Sequence, residues 1–271
     1  MRAPALRSTG DPHPSATAET PQPGFADVLA AEWIRLRSVR ATAVLAAIVA
    51  VALPALAAVV ALTGSVMPDD TVLGASILGG GALALLAAGG LGATAVTAEQ
   101  SSGSIVTSYA GTPRRGRLLA AQAVLVGSLT AAVTLPASAA SVVLGEILLA
   151  RTVPGLAAGH PMPALLGVAL IVGTVGMLGV CLGTITRHSG AALAALGAVL
   201  LLPSMLGPML GTAGEWVLGL TPVGILTAMV QSSDAATGTV GSLGAWPRLL
   251  FLTVATLGLL GVAGRAALRD L

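Results

Sequence analysis

The sequence contains no lysine, a single cysteine and very few charged or aromatic residues. Charged residues make up 9% and aromatic residues 2% of the 271 positions, whereas hydrophobic residues reach 55% and mean hydropathy is +0.93. Soluble domains carry about 25% charged residues, so this composition excludes an ordinary water-soluble fold. Cys181 has no second cysteine with which to form an intrachain disulfide. The composition therefore predicts an integral membrane protein.

The missing lysine also excludes one kind of chemistry. The phosphate-binding loop of many ATPases ends in Gly-Lys-Ser/Thr, and its lysine contacts the phosphates of ATP. This chain cannot supply that loop, so an ATP-driven process would need a second polypeptide. His13, His160 and His188 are far apart in the sequence and fit no zinc-binding spacing. We therefore predict no catalytic residue, no metal site and no enzymatic activity in this chain.

Apolar runs long enough to cross a membrane recur along the chain. A helix needs about 20 apolar residues to cross a hydrocarbon core of about 30 Å. The predicted fold is an all-α integral membrane protein with six transmembrane helices. Their predicted positions are 42–63, 71–98, 118–145, 162–186, 190–211 and 248–265. Charged residues are absent from the middle of these spans, which disfavours an ion-coupled carrier.

The arginines predict the orientation of these spans. With a cytosolic N-terminus, 2 of the 13 basic residues, Arg151 and Arg248, lie outside, which leaves 11 inside. The positive-inside rule then places both termini in the cytosol and the chain in the cytoplasmic membrane. Residues 1–24 are rich in proline and polar residues and lack a signal-peptide core, which predicts a disordered cytosolic tail. Residues 266–271 form the predicted cytosolic C-terminus.

Residues 25–41 have the periodicity of an amphipathic helix lying along the inner membrane surface. Its apolar residues share one side: Phe25, Val28, Leu29, Trp33 and Leu36. Glu32 falls near the middle of that side, where a carboxylate facing acyl chains would be costly. Two interpretations stay open. Either Glu32 contacts protein, at the base of the bundle or on a partner subunit, or the helix rolls and places Glu32 at the headgroups.

Residues 99–117 form the only long polar and basic break in the apolar middle of the chain. Serines that can cap a helix precede a short apolar and aromatic cluster, and Pro113 follows it. The cluster consists of Ile105, Val106 and Tyr109. The basic residues after it are Arg114, Arg115 and Arg117. From the residues alone, a connector and a partner-binding helix both fit the cluster, and the arginines fit either a topological anchor or an acidic partner.

Residues 215–231 are apolar but too short and interrupted to be a convincing crossing. Thr221 and Pro222 break the run near its middle. A seventh crossing would also move Arg265 and Arg269 outside, against the positive-inside rule. We therefore predict an outer re-entrant or interfacial helix pair.

Two segments resemble ABC transporter permeases of the ABC-2 type. The first, Ala31-Glu32-Trp33-Ile34-Arg35-Leu36, looks like the interface helix that leads into the first span of that family. The second is similar to the family's glutamate, glycine, small-polar and Pro-Arg-Arg string between its second and third spans. It runs from Thr97-Ala98-Glu99 through Ser102-Gly103-Ser104-Ile105 to Thr112-Pro113-Arg114-Arg115-Gly116-Arg117. Family members often carry basic residues where this chain has Gln100-Ser101 and Gln122.

The resemblance covers about residues 25–271 and implies a transmembrane permease subunit of an exporter. It implies a second permease subunit, in a homo- or heterodimer, and a separate P-loop ATPase that holds ATP and Mg, so that this chain binds no cofactor. Segment 99–117 would be the coupling helix, and no nucleic acid is expected as a partner. The implied ATPase interface comprises Glu32, Glu99, Ile105, Val106, Tyr109, Arg114, Arg115 and Arg117. The alternatives are a gradient-driven carrier and a non-transporting immunity or scaffold protein.

Overall fold

The computed structural model describes residues 24–66, 71–101, 115–152, 161–231 and 244–269. Every regular element within these ranges is helical, as the composition predicts. The helices in chain order are α1 (Phe25–Ser38), α2 (Arg40–Thr63), α3 (Val72–Ser101), α4 (Arg115–Thr152), α5 (Pro161–Thr186), α6 (Ser189–Leu206), α7 (Thr212–Leu220), α8 (Pro222–Gln231) and α9 (Ala245–Arg269). The all-α prediction is therefore confirmed for the described residues.

Six of these helices, α2 to α6 and α9, are long and apolar enough to cross a membrane. The prediction of a multi-pass membrane protein with six such helices is confirmed at that level. The fifth predicted span, 190–211, is too long at its end, because α6 stops at Leu206. Pro208 follows inside a 3₁₀ turn, Gly207–Met209, and has no backbone N–H with which to continue the α-helical hydrogen bonds.

Helices α3 and α5 form the centre of the bundle. Their most apolar stretches are 72% and 78% buried, against 17% for α2 and α6. Glycines allow the two backbones to approach closely: a Cβ atom on Gly179 would collide with the carbonyl of Gly89, and one on Gly92 with the carbonyl of Gly176. In lipid, where apolar side chains gain little by leaving their surroundings, such backbone contact provides the packing that joins helices.

Helices α2 and α6 pack against this centre along one stripe each. On α6 the buried residues are Ala192, Leu196 and Leu200, spaced by four residues as helical geometry requires. On the outward sides, large apolar side chains are exposed, among them Leu62 at 72% and Met205 at 73%. An apolar outer surface on long apolar helices is what contact with lipid acyl chains demands.

Helices α7 and α8 form a pair bent by 84°. Pro222 starts α8, and the Thr221 hydroxyl caps it by accepting the Gly224 N–H at 3.0 Å. Helix α8 packs among α3, α5 and α9: its Leu226 lies beside Gly81, and the Val230 carbonyl accepts the Thr71 hydroxyl at 3.2 Å. The last turn of α8 therefore lies beside the first turn of α3. The re-entrant or interfacial placement of 215–231 stays a prediction.

Candidate functional site

A cluster of polar side chains joins α1 to the bundle at the end where α3 finishes and α4 starts. The Arg35 guanidinium donates to both carboxylate oxygens of Glu32 at 3.1 Å, and the Glu32–Arg35 pair is a salt bridge. Arg35 also donates to the carbonyl of Ala95 on α3 at 3.2 Å. On the other side, the Gln122 amide of α4 donates to Glu32 at 3.4 Å. The Glu32–Arg35 pair thus connects α1 to both α3 and α4.

Helix α1 presents three successive turns to the bundle. Val28, Glu32 and Leu36 are buried, four residues apart on one side of the helix. Val28 packs against Leu118 and Ala121 in the first turns of α4. Glu32 itself is only 7% exposed, whereas the Arg35 side chain is 31% exposed. A buried carboxylate needs charge and hydrogen-bond partners, which Arg35 and Gln122 supply.

The structure distinguishes the two interpretations of Glu32: the carboxylate contacts protein at the base of the bundle. The helix starts at Phe25 and ends at Ser38. The buried face is narrower than the apolar side predicted from the sequence, because Phe25 and Trp33 are 41% and 42% exposed. The helix is therefore turned so that its carboxylate lies inward and its two aromatic rings lie outward.

The remaining predicted site residues lie mostly beyond the described ranges. Ile105, Val106, Tyr109 and Arg114 fall in 102–114, outside the described residues. Glu99 belongs to the last turn of α3, and Arg115 is the first residue of α4. Arg117 is exposed in the first turn of α4. The structure thus brings the two helices that flank 102–114 into contact with α1, while the predicted ATPase-facing cluster stays a prediction.

Two members of the cluster were not among the predicted site residues. Arg35 lies three residues after Glu32, a spacing at which opposite charges meet on a helix. Gln122 is a polar residue in an otherwise apolar stretch of α4, and it is only 2% exposed. The spacing of Glu32 and Arg35 could have been found from the sequence. The polar character of Gln122 could not identify Glu32 as its partner, since the two residues are separated by 90 positions.

The chain matches no protein-family model, and no curated protein matches it significantly.

The cluster connects helices through one ion pair and its hydrogen bonds. Among the described residues, no group of three or more histidine, cysteine or acidic side chains is placed to hold a metal ion. The charged pair and the amide instead fix the position of α1 relative to α3 and α4.

Proposed function

We propose that this chain is the transmembrane permease subunit of an ABC transporter of the ABC-2 type, working as an exporter in the cytoplasmic membrane. The observation that carries the proposal is the bonding of α1 to both helices that flank 102–114. The Glu32–Arg35 pair reaches Ala95 near the end of α3 and Gln122 near the start of α4. The family resemblance of the flanking sequences supplies the rest of the argument.

A coupling element has to pass force from a soluble partner to the membrane helices. Residues 102–114 connect α3 to α4, so a force applied to this segment acts on the adjoining ends of both helices. Near those ends, α3 and α4 are each bonded to α1 through the partly buried Glu32–Arg35 pair. We propose that closure of two ATPase subunits moves this base as a unit and shifts the bundle between inward and outward access.

The orientation follows from the same proposal. The polar cluster and the flanks of 102–114 lie on the cytosolic side, and the α7–α8 pair lies on the outer side. The arginine distribution supports this placement. The chain itself carries no lysine and hence no P-loop, so ATP and Mg are held by a separate ATPase subunit.

The first experiment tests association with an ATPase. A P-loop ATPase encoded next to this chain is co-expressed with it, and the membrane complex is purified through a tag on the permease. We expect the ATPase to co-purify with the native chain and to be lost with Ile105→Asp or Tyr109→Asp. The control is Arg37→Ala, an exposed change on α1. Met205→Asp, at an exposed position on the outer side of α6, would not serve as the control because it does not bear on coupling.

The second experiment tests coupling without knowing the transported molecule. ATP hydrolysis by the complex in lipid is compared between the native chain and Glu32→Ala. We expect the variant to retain the ATPase but to change its hydrolysis rate by several-fold, because α1 loses its bond to Gln122 of α4 and Arg35 loses the carboxylate that positions it beside Ala95 of α3. Arg37→Ala should leave the rate unchanged. In the first experiment, stable association of the ATPase with both Ile105→Asp and Tyr109→Asp would refute the assignment of this segment as the coupling helix. Transport that proceeds without nucleotide would favour a gradient-driven carrier.

A further inference from the structure

A groove opens on the side of the bundle between α4, α5 and α9. Its volume is about 500 Å³, within the range of pockets that hold drug-sized molecules. Gly127 of α4 and Gly173 of α5 lie at the groove, where a Cβ atom on Gly173 would come within 2.9 Å of the Gly127 carbonyl oxygen. The two helices are therefore close together there, while the small side chains of Ser128 and Ala131 leave room beside α9.

The groove opens towards the outside of the bundle along its length. Its rim includes Val124, Leu170 and Leu250, which are 47%, 49% and 64% exposed. From Trp246 to Thr253 its α9 wall covers eight residues, which spans about 10 Å at the helical rise. These residues lie within the three long apolar helices, so a molecule would enter sideways from lipid.

Two threonine hydroxyls give the groove a polar point. Thr174 of α5 and Thr253 of α9 line it, and their Oγ1 atoms are 3.4 Å apart. Each hydroxyl also lies 2.8 Å from the carbonyl four residues earlier on its own helix, at Leu170 and Leu249. Each hydroxyl has one proton, so donation to the closer carbonyl competes with the 3.4 Å contact between the two hydroxyls, in which either oxygen can be the donor.

Whichever acceptor each proton takes, each hydroxyl oxygen keeps a lone pair that can accept a further hydrogen bond. Thr174 is only 5% exposed and Thr253 is partly exposed, so a ligand O–H or N–H in the groove reaches the pair from the side of Thr253. The residues that line the groove carry no charge, so an ionised ligand would lose its hydration with no compensation.

We propose that this groove binds a neutral, apolar molecule that carries one hydrogen-bond donor and enters from the lipid side. The apolar walls take up the body of the molecule, and the Thr174–Thr253 pair accepts its donor. The site follows from the groove and its two hydroxyls alone and does not depend on the proposed coupling to an ATPase. It also defines a preference: an alcohol should bind more tightly than the methyl ether of the same chain, which has no proton to donate.

Trp246 provides a reporter, since it lies in the groove and is one of three tryptophans in the chain. In a Trp33→Phe, Trp216→Phe background, the full chain is placed in lipid nanodiscs and its fluorescence is measured. The probes are a long-chain bromoalkanol and the methyl ether of that molecule, because bromine quenches tryptophan at contact. We expect saturable quenching by the alcohol and a binding constant about 2- to 10-fold weaker for the ether, the range that one hydrogen bond provides.

Matched variants then assign the effect to the hydroxyl pair. Replacement of both threonines, Thr174→Val with Thr253→Val, should remove the preference for the alcohol. Thr184→Val is the control, since Thr184 is on the same helix, makes the same 2.8 Å bond to a carbonyl, and lies outside the groove. Ser128→Phe should fill the groove from an exposed position and abolish saturable quenching by both probes.

Two results would overturn the proposal. Quenching that rises linearly and equally for alcohol and ether would mean that the probes only partition into the bilayer. A preference for the alcohol that survives the double valine replacement would mean that the hydroxyl pair does not accept the donor. The comparison of alcohol and ether on the threonine-containing chain remains decisive even if the double variant does not fold.

Discussion

Glycines in the centre of the bundle and glycines on α9 have opposite surroundings. Gly176, Gly179 and Gly183 of α5 all lie where a side chain would press on a neighbouring helix, whereas Gly258, Gly261 and Gly264 of α9 have no such neighbour within 4 Å among the described residues. The same residue type therefore produces a closely packed contact in one helix and an open surface in another. The comparison suggests a rigid α3–α5 centre and an α9 whose packing is more readily altered.

The largest expected effect comes from one substitution made at both kinds of glycine. Gly179→Leu forces a branched side chain into the carbonyl of Gly89, so α3 and α5 must separate. We expect a loss of more than about 4 kcal/mol and little folded protein after extraction in mild detergent. Gly261→Leu adds the same side chain where no atom of the described part of the chain lies within 4 Å, and it should yield normal amounts of folded protein.

Size-exclusion chromatography and thermal unfolding would check this pair of variants. Equal yields and melting temperatures for Gly179→Leu and the native chain would contradict the close contact between α3 and α5. A severe loss for Gly261→Leu would show instead that this part of α9 is covered in the assembled protein.

A second contrast uses two methionines of equal size. Met229 of α8 is completely buried beside Gly167, whereas Met205 of α6 is 73% exposed. Met229→Ala removes contacts inside the protein and leaves a cavity, which we expect to cost about 2–5 kcal/mol. Met205→Ala should change stability by less than about 0.5 kcal/mol, since lipid can take the place of the lost atoms.

Equilibrium unfolding in mixed detergent micelles would measure both free energies. A small effect of Met229→Ala would mean that α8 is not held among α3, α5 and α9, and that the bent pair is only loosely attached. The methionine comparison thus tests the position of α8 independently of the glycine contact.

Six long apolar helices and an all-α fold could be predicted from the sequence because membrane crossing imposes a length and a hydropathy on each segment. Those properties are local. The role of each glycine is not local, since Gly179 and Gly261 both lie in apolar helical runs and differ only in what another helix brings near them. Close contact between two backbones depends on the arrangement of the bundle, which hydropathy does not specify.

The candidate site shows the same limit. The position of Glu32 on the apolar side of α1 was evident from helical periodicity, and it indicated an unusual environment. That the environment consists of Arg35 and Gln122 depends on how α1 rests on α4. The Thr174–Thr253 pair likewise joins helices 79 residues apart in sequence, and hydroxyls are common in membrane helices for purely local reasons.

The polar cluster provides a smaller expected effect than the buried methionine. Glu32→Ala leaves Arg35 and Gln122 without their shared acceptor, which we expect to weaken the docking of α1 by about 2 kcal/mol. Arg35 is 31% exposed, and water at that exposure keeps the loss below that of a fully buried ion pair. Hydrogen exchange of the α1 amides should become faster, with α3 and α5 unchanged.

Arg37→Ala is the control for this prediction, because Arg37 lies on the exposed side of the same helix. Faster exchange in both variants would mean that α1 frays for reasons unrelated to the cluster. Unchanged exchange in Glu32→Ala would show that the apolar contacts of Val28 and Leu36 hold the helix without the ion pair.

The smallest expected effect returns to α9 and has the opposite sign. Glycine in a helix is less favourable than alanine by up to about 1 kcal/mol, because its backbone loses more freedom on ordering. Gly261 has space for a methyl group, so Gly261→Ala should raise stability by at most about that amount. Gly92→Ala should do the reverse, since its Cβ would meet the carbonyl of Gly176. Thermal unfolding of the two alanine variants in the same lipid nanodiscs measures both changes in stability. A change of the same sign in both would mean that the α9 surface and the α3–α5 contact do not differ as their glycines indicate.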